Sequence, residues 1–174
     1  MCDIILFGLS LKLPIILDGE KGQGKQTAIH YISQILGLDI INIVISKSTK
    51  VDNLLMKIII EKSDIYPKKL IVFQGINKAS PEILDFLNSL FIPEANIRLT
   101  NGSILDKGNM NIIGIFNKER DKINRDKIPD GMLSNCIYHI VDNPSPKDNL
   151  NIITNLFIRM DFGEEEKKNM SKNI

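Results

Sequence analysis

Tryptophan is absent from the 174-residue sequence, cysteine occurs twice, and aromatic residues make up 6%. Cys2 and Cys136 form neither a metal-ligand spacing nor a disulfide framework. Free thiols and a reducing compartment, cytoplasmic or nuclear, are the expectation. An excess of one charge sign is also missing. The 22 Lys and Arg against 21 Asp and Glu leave a formal net charge of +1, which gives no electrostatic footprint for nucleic acid or for a membrane surface. No apolar run is long enough to span a bilayer, and the apolar start at residues 4–9 lacks the basic flank of a signal peptide. His30 and His139 stand alone, without further ligands for a metal. What is present is ordinary for a globular protein: 43% hydrophobic and 25% charged residues. That is one domain long enough to bury a real core.

The informative stretch is residues 15–27, where an apolar run ends in a glycine-rich loop and a lysine opens a helix. Glycines let successive N–H groups turn inward toward an anion. The helix behind them adds its own unpaired N–H groups and the positive end of its dipole. The spacing G-x-x-x-x-G-K-[ST] is met at Gly19, Gly24 and Lys25 and fails at Gln26, where a hydroxyl residue belongs. Residues Gly19, Glu20, Lys21, Gly22, Gln23, Gly24, Lys25, Gln26 and Thr27 are therefore the candidate phosphate-binding set, with Lys25 reaching the outer phosphates. A Mg²⁺ ligand falls to Gln26 or Thr27. Gln26 is long and neutral, and Thr27 sits about 100° further round the helix, so a weak metal site is expected.

Along the chain, residues 3–11 read as a short helix or an extended segment, followed by a strand at 14–18. The helix after the loop runs to about Leu36, with Ala28, Ile29, Ile32, Ile35 and Leu36 on one buried face, and Gly37 stops it. Residues 40–45 are a β-branched run of the kind covered on both faces. Residues 50–61 are helical, and 70–73 form a third strand. Ser80, Pro81 and Glu82 begin a helix with a cap, a first-turn proline and an early acid. Residues 96–105 read as a hairpin around Asn101 and Gly102, residues 112–116 as a buried strand, 120–125 as a charged loop and 138–141 as a strand. Ser145 and Asp148 form a capping box for a last helix. Alternating strands and helices give an α/β sandwich with a mainly parallel central sheet. Ligands of such sheets bind at the carboxyl ends of the strands.

Taken in order, these segments resemble an AAA+ ATPase domain of the P-loop NTPase fold, in its dynein-related, midasin-like branch. Residues 14–25 (PIILDGEKGQGK) are similar to the family's phosphate loop, and residues 48–55 (STKVDNLL) to the segment after its second strand. Residues 70–84 (LIVFQGINKASPEIL) are similar to the acidic-strand motif with its following helix. Residues 112–117 (IIGIFN) resemble the sensor strand, and 128–135 (IPDGMLSN) the finger region. The resemblance covers about residues 10–155. It implies a three-layer sandwich with an AAA+ nucleotide-binding core at 1–143, the start of a truncated helical lid at 144–162 and a charged tail at 163–174.

The resemblance also implies ATP or ADP as ligand, with Mg²⁺, and protein partners such as other AAA+ domains. The family's Asp-Glu pair falls on Gln74 and Gly75, its arginine finger on Asn135 and its sensor on Asn117. The link at residues 61–69 is shorter than the family's. The binding groups are thus kept and the hydrolysis groups replaced. A hydrolysis-impaired ATP-binding module within a larger remodelling assembly is the expectation. An ATPase completed in trans by an oligomer partner and a nucleotide-free scaffold or gene fragment are the alternatives. Asp18 reads as a strand-end residue, Glu82 and Asp85 as solvent-facing, and Arg120 and Arg125 as members of a charged loop. Asp121 and Asp126 have no partner at catalytic spacing.

Overall fold

A computed structural model describes residues 1–62, 69–92, 96–98, 104–106, 110–117 and 128–159. These residues fall into two compact units, Met1–Val141 and Asp142–Ile174.

The first unit is built on five strands: β1 (Ile15–Gly19), β2 (Asp39–Val44), β3 (Lys69–Gln74), β6 (Asn111–Asn117) and β7 (Ile137–Ile140). They pair in the order β2-β3-β6-β1-β7, every pair parallel. Side chains alternate across a strand, so each buried strand feeds two cores. On one side Ile16, Ile71, Phe73, Ile112 and Phe116 pack with residues of α3 (Val51–Lys62) and α4 (Pro81–Phe91). On the other, Ile15, Leu17, Leu70, Val72, Ile113 and Ile115 pack with residues of α1 (Cys2–Ser10) and α2 (Lys25–Leu36). This is the three-layer α/β sandwich with a parallel central sheet. Burying a side chain such as Phe73, which is fully enclosed, contributes about 1.5–3 kcal/mol. Among the described residues, no helix is long and apolar enough to cross a membrane.

The ambiguous start at residues 3–11 is a helix, α1. Its Gly8 packs against the Ile15 side chain so closely that an added Cβ has no room. The α4 start forms as read, with the Ser80 hydroxyl accepting from the Ile83 N–H at 3.4 Å. The hairpin exists as β4 (Asn96–Arg98) paired antiparallel with β5 (Ile104–Asp106); its turn residues Asn101 and Gly102 lie outside the described residues. So do the loop 120–125, the link 63–68 and the tail 163–174. A short helix, α5 (Asp130–Ser134), precedes β7.

Two burial expectations are corrected. Ile35 and Leu36 are exposed, while Ala28, Ile29 and Ile32 of the same helix are buried. The last turn of α2 extends beyond the core that the first two turns cover. β2 is not covered on both faces: alternate residues are open, and Val44 is 68% exposed. The cause is position, because β2 is the edge strand, with no strand beyond it among the described residues.

The second unit contains α6 (Pro146–Arg159). Its capping box is reciprocal. The Ser145 N–H donates to Asp148 Oδ2 at 3.0 Å, and the Asp148 N–H donates to Ser145 Oγ at 3.2 Å. The Ser145 bonds hold the Asp148 carboxyl below its usual range.

Candidate functional site

β1 is flanked by β6 and β7, so the loop leaving its carboxyl end rises from within the sheet, one strand in from the β7 edge. Parallel register sets Gly19 level with Asn117, and Gln74 level with Ile115. The ends of β1, β3 and β6 thereby converge on one hollow. Its volume is about 410 Å³, and it is bordered by residues 21–27 with Gln74, Ile115 and Asn117. That lies within the ~300–1,000 Å³ typical of ligand sites.

The loop takes its shape from two causes. Gly22 and Gly24 have φ of +89° and +76°, in the left-handed region that side chains disfavour. Nothing lies within 4 Å of where a Cβ would stand at either, so the constraint is backbone conformation, and the space stays open. The second cause is Lys25. It is only 5% exposed, and its Nζ donates to the carbonyls of Gly19 at 2.7 Å and Glu20 at 2.6 Å. The bend closes around this ammonium. An ammonium has three donors, so one remains for an anion in the hollow.

Helix α2 begins at Lys25 with Gly24 as its N-cap and no side-chain cap bond. The N–H groups of this first turn receive no bond from a capping side chain, and no acid in the first turn offsets the dipole. Burial pushes the Lys25 pKa below the ordinary lysine range, and the negative charges of Asp18 and Glu20 partly pull it back. Asp18 is buried, and its carboxylate accepts from the Tyr138 hydroxyl on β7. The Gln23 side chain lies against Gly19.

Of the residues singled out by the sequence, Lys21, Gly22, Gln23, Gly24, Lys25, Gln26, Thr27 and Asn117 share this hollow. Gly19 and Glu20 form the bend behind it and contribute carbonyls to Lys25. Gln26 and Thr27 are exposed at its rim. Glu82 and Asp85 are exposed on α4. Gln74 ends β3 and donates its side-chain N–H to Asn42 Oδ1 at 3.0 Å. Gly75 has φ of +76°. Asn135 donates from Nδ2 to the Gly131 carbonyl at 2.7 Å, within its own short helix. Asn42 was not identified from the sequence. Its one signal is a polar residue inside an apolar strand, and its partner is 32 positions away.

The geometry fits a phosphate chain: an uncapped helix start, an open cradle at Gly22 and Gly24, and a buried ammonium. It fits Mg²⁺ poorly. That ion takes near-octahedral oxygen ligands and uses carboxylates beside the phosphates. Among the described residues, no Asp or Glu borders the hollow. A larger cavity of about 720 Å³ lies at the start of β6, by Asn111, lined mainly by Leu6, Phe7, Leu9, Leu36 and Leu38. Its polar members are Ser10, Lys12 and Asn111, without the glycine loop and helix start that shape the first hollow, so size alone does not locate the site.

Residues 14–127 match the family described as AAA domain (dynein-related subfamily). The chain is also similar to Midasin of Giardia intestinalis, 26% identical over 171 residues, covering 86% of this chain and 3% of that protein. The match contains the loop, all of β1, β3 and β6, and the hollow between them. The chain belongs to the dynein-related subfamily of AAA domains, as an ATP-binding module of midasin-like type.

Proposed function

We propose that the module holds ATP or ADP on residues 19–27, with Asn117 facing the outer phosphate, and hydrolyses it slowly or not at all. One observation supports this above others: the phosphate cradle is complete on the β1–α2 side of the hollow, while Gln74 and Gly75 stand where the family resemblance calls for two acids. Phosphoryl transfer depends on positioning and on charge stabilisation. A carboxamide and a hydrogen atom supply neither a general base nor a negative charge for a metal. Asn135, at the finger position, is neutral and bonded to its own helix.

In this reading the module is a structural or regulatory unit beside active AAA domains in a larger ATP-driven assembly, in the cytoplasm or nucleus. Residues 144–162, which include α6, begin its helical lid. The assembly role rests on family likeness. The chain spans 3% of the Midasin it matches.

A titration of the purified chain with a fluorescent ATP analogue tests the binding claim. Saturable binding that Lys25→Ala abolishes is expected. No saturable binding, or equal binding by the variant, removes the reading. Phosphate release tests the rest: turnover above background that disappears in Lys25→Ala would favour an ATPase completed by a partner.

A further inference from the structure

The charges around the hollow point to the form in which a nucleotide is taken. The inference rests on the nucleotide-binding reading above. Among the described residues, the polar side chains bordering the hollow are cationic (Lys21, Lys25) or neutral (Gln26, Gln74, Asn117 among them). Of the two acids nearest the loop in sequence, Asp18 is buried beneath it with Tyr138 bonded to its carboxylate. Glu20 does not border the hollow. Among the described residues, no cluster of three or more His, Cys, Asp or Glu could hold a metal. Gln74 is at the strand end from which a carboxylate would reach a hydrated cation, and its amide is bonded to Asn42 instead.

Mg²⁺ gives up its waters reluctantly and needs hard oxygen ligands in return. Among the described residues, the hollow offers it only neutral oxygens beside two ammonium groups. Those groups, with the loop N–H donors, already supply the countercharge that a metal provides elsewhere. We propose that this site binds the phosphate chain of a nucleotide as the free anion, without a divalent cation, with Lys21 and Lys25 as its counterions. A metal-bound triphosphate carries two fewer negative charges, so Mg²⁺ weakens the attraction to these lysines and gains no protein ligand. Lys21 is exposed, so its share is screened by salt.

The test titrates the full chain with fluorescent ADP and ATP analogues at one ionic strength, in excess MgCl₂ and in excess EDTA. Affinity in EDTA equal to or tighter than in Mg²⁺, to within about twofold, is expected. Gln74→Asp should convert the site, so that Mg²⁺ strengthens binding by about tenfold or more. Gln74→Ala, which loses the Asn42 bond without adding a carboxylate, should not. A loss of about tenfold in EDTA for the unaltered chain overturns the proposal while leaving nucleotide binding intact. A Gln74→Asp chain that binds as tightly as before yet gains no Mg²⁺ dependence also counts against it. Absence of saturable binding in both buffers overturns the nucleotide reading itself, and this proposal with it.

Discussion

Two walls face each other across the hollow, and they are made of different material. The wall from residues 19–27 is mainly backbone: N–H groups at a helix start, two glycines at positive φ and one ammonium folded back onto two carbonyls. The opposite wall, at the ends of β3 and β6, is bordered among the described residues by Gln74, Ile115 and Asn117, so its polar side chains there are Gln74 and Asn117. Backbone donors persist through most substitutions, because every residue but proline has one. A catalytic charge rests on a single side chain, and one substitution removes it. Binding and hydrolysis can therefore separate in one fold, as we propose here.

The largest test of that contrast is on the backbone wall. Lys25→Ala is expected to weaken nucleotide binding by about 2–5 kcal/mol, the usual cost of removing one partner of a buried charged contact. Titration reads this. A thermal melt without nucleotide reads separately what the carbonyls of Gly19 and Glu20 lose. The contrast breaks if affinity survives the change.

The same lysine gives a pH dependence. Its folded pKa lies below the ordinary lysine range because burial favours the neutral amine, whereas a bound phosphate favours the ammonium. Affinity is therefore expected to be full below the folded value and to fall as pH rises through it. Stability without nucleotide moves oppositely. The unfolded chain binds more protons between the folded and unfolded values, so stability rises with pH there. Titrations and melts across the alkaline range check both signs, and Lys25→Ala should flatten the binding curve.

A pair of glycines compares the two walls directly. Gly24 and Gly75 have the same φ, +76°, so an alanine at either costs about 1–2 kcal/mol of folding stability. Gly24→Ala should also weaken nucleotide binding, since it distorts the cradle. Gly75→Ala should leave affinity unchanged. Denaturant unfolding gives the first quantity and titration the second. Gly75→Glu meets the same strain, with an added Cβ 3.3 Å from the Ile45 carbonyl. Restoring the acid alone is thus expected to destabilise the fold without restoring turnover.

The smallest effect belongs to Gln74→Ala. It removes one exposed hydrogen bond, to Asn42, and should cost about 0.5–1 kcal/mol of stability. Nucleotide affinity, read by the same titration, should change less than for any variant of the loop wall.

Much of the fold was legible because its signals are local. The glycine spacing at 19–25, the apolar runs of β1, β3 and β6, the Ser80 cap and the Ser145–Asp148 box each need only a few consecutive residues. Burial was harder to read. Residues 40–45 have the composition of a central strand, yet β2 is an edge, and Val44 faces outward. Periodicity assigned Ile35 and Leu36 to the core, although α2 outruns the surface it packs on. In both cases the missing information was what lies next to the element.

The sequence by itself determined that a loop of this shape follows an apolar strand and opens a helix, because glycine placement and helix-start chemistry act over a few bonds. It also determined which acids are absent. Only the tertiary structure decided that Lys25 folds inward onto the loop's carbonyls and that Tyr138, 120 residues away, bonds to Asp18. It also decided that Gln74 is tied to Asn42 and that Gly75 lies at positive φ. Those outcomes depend on strand order and register, which bring distant residues to one sheet end, and no local pattern encodes that distance.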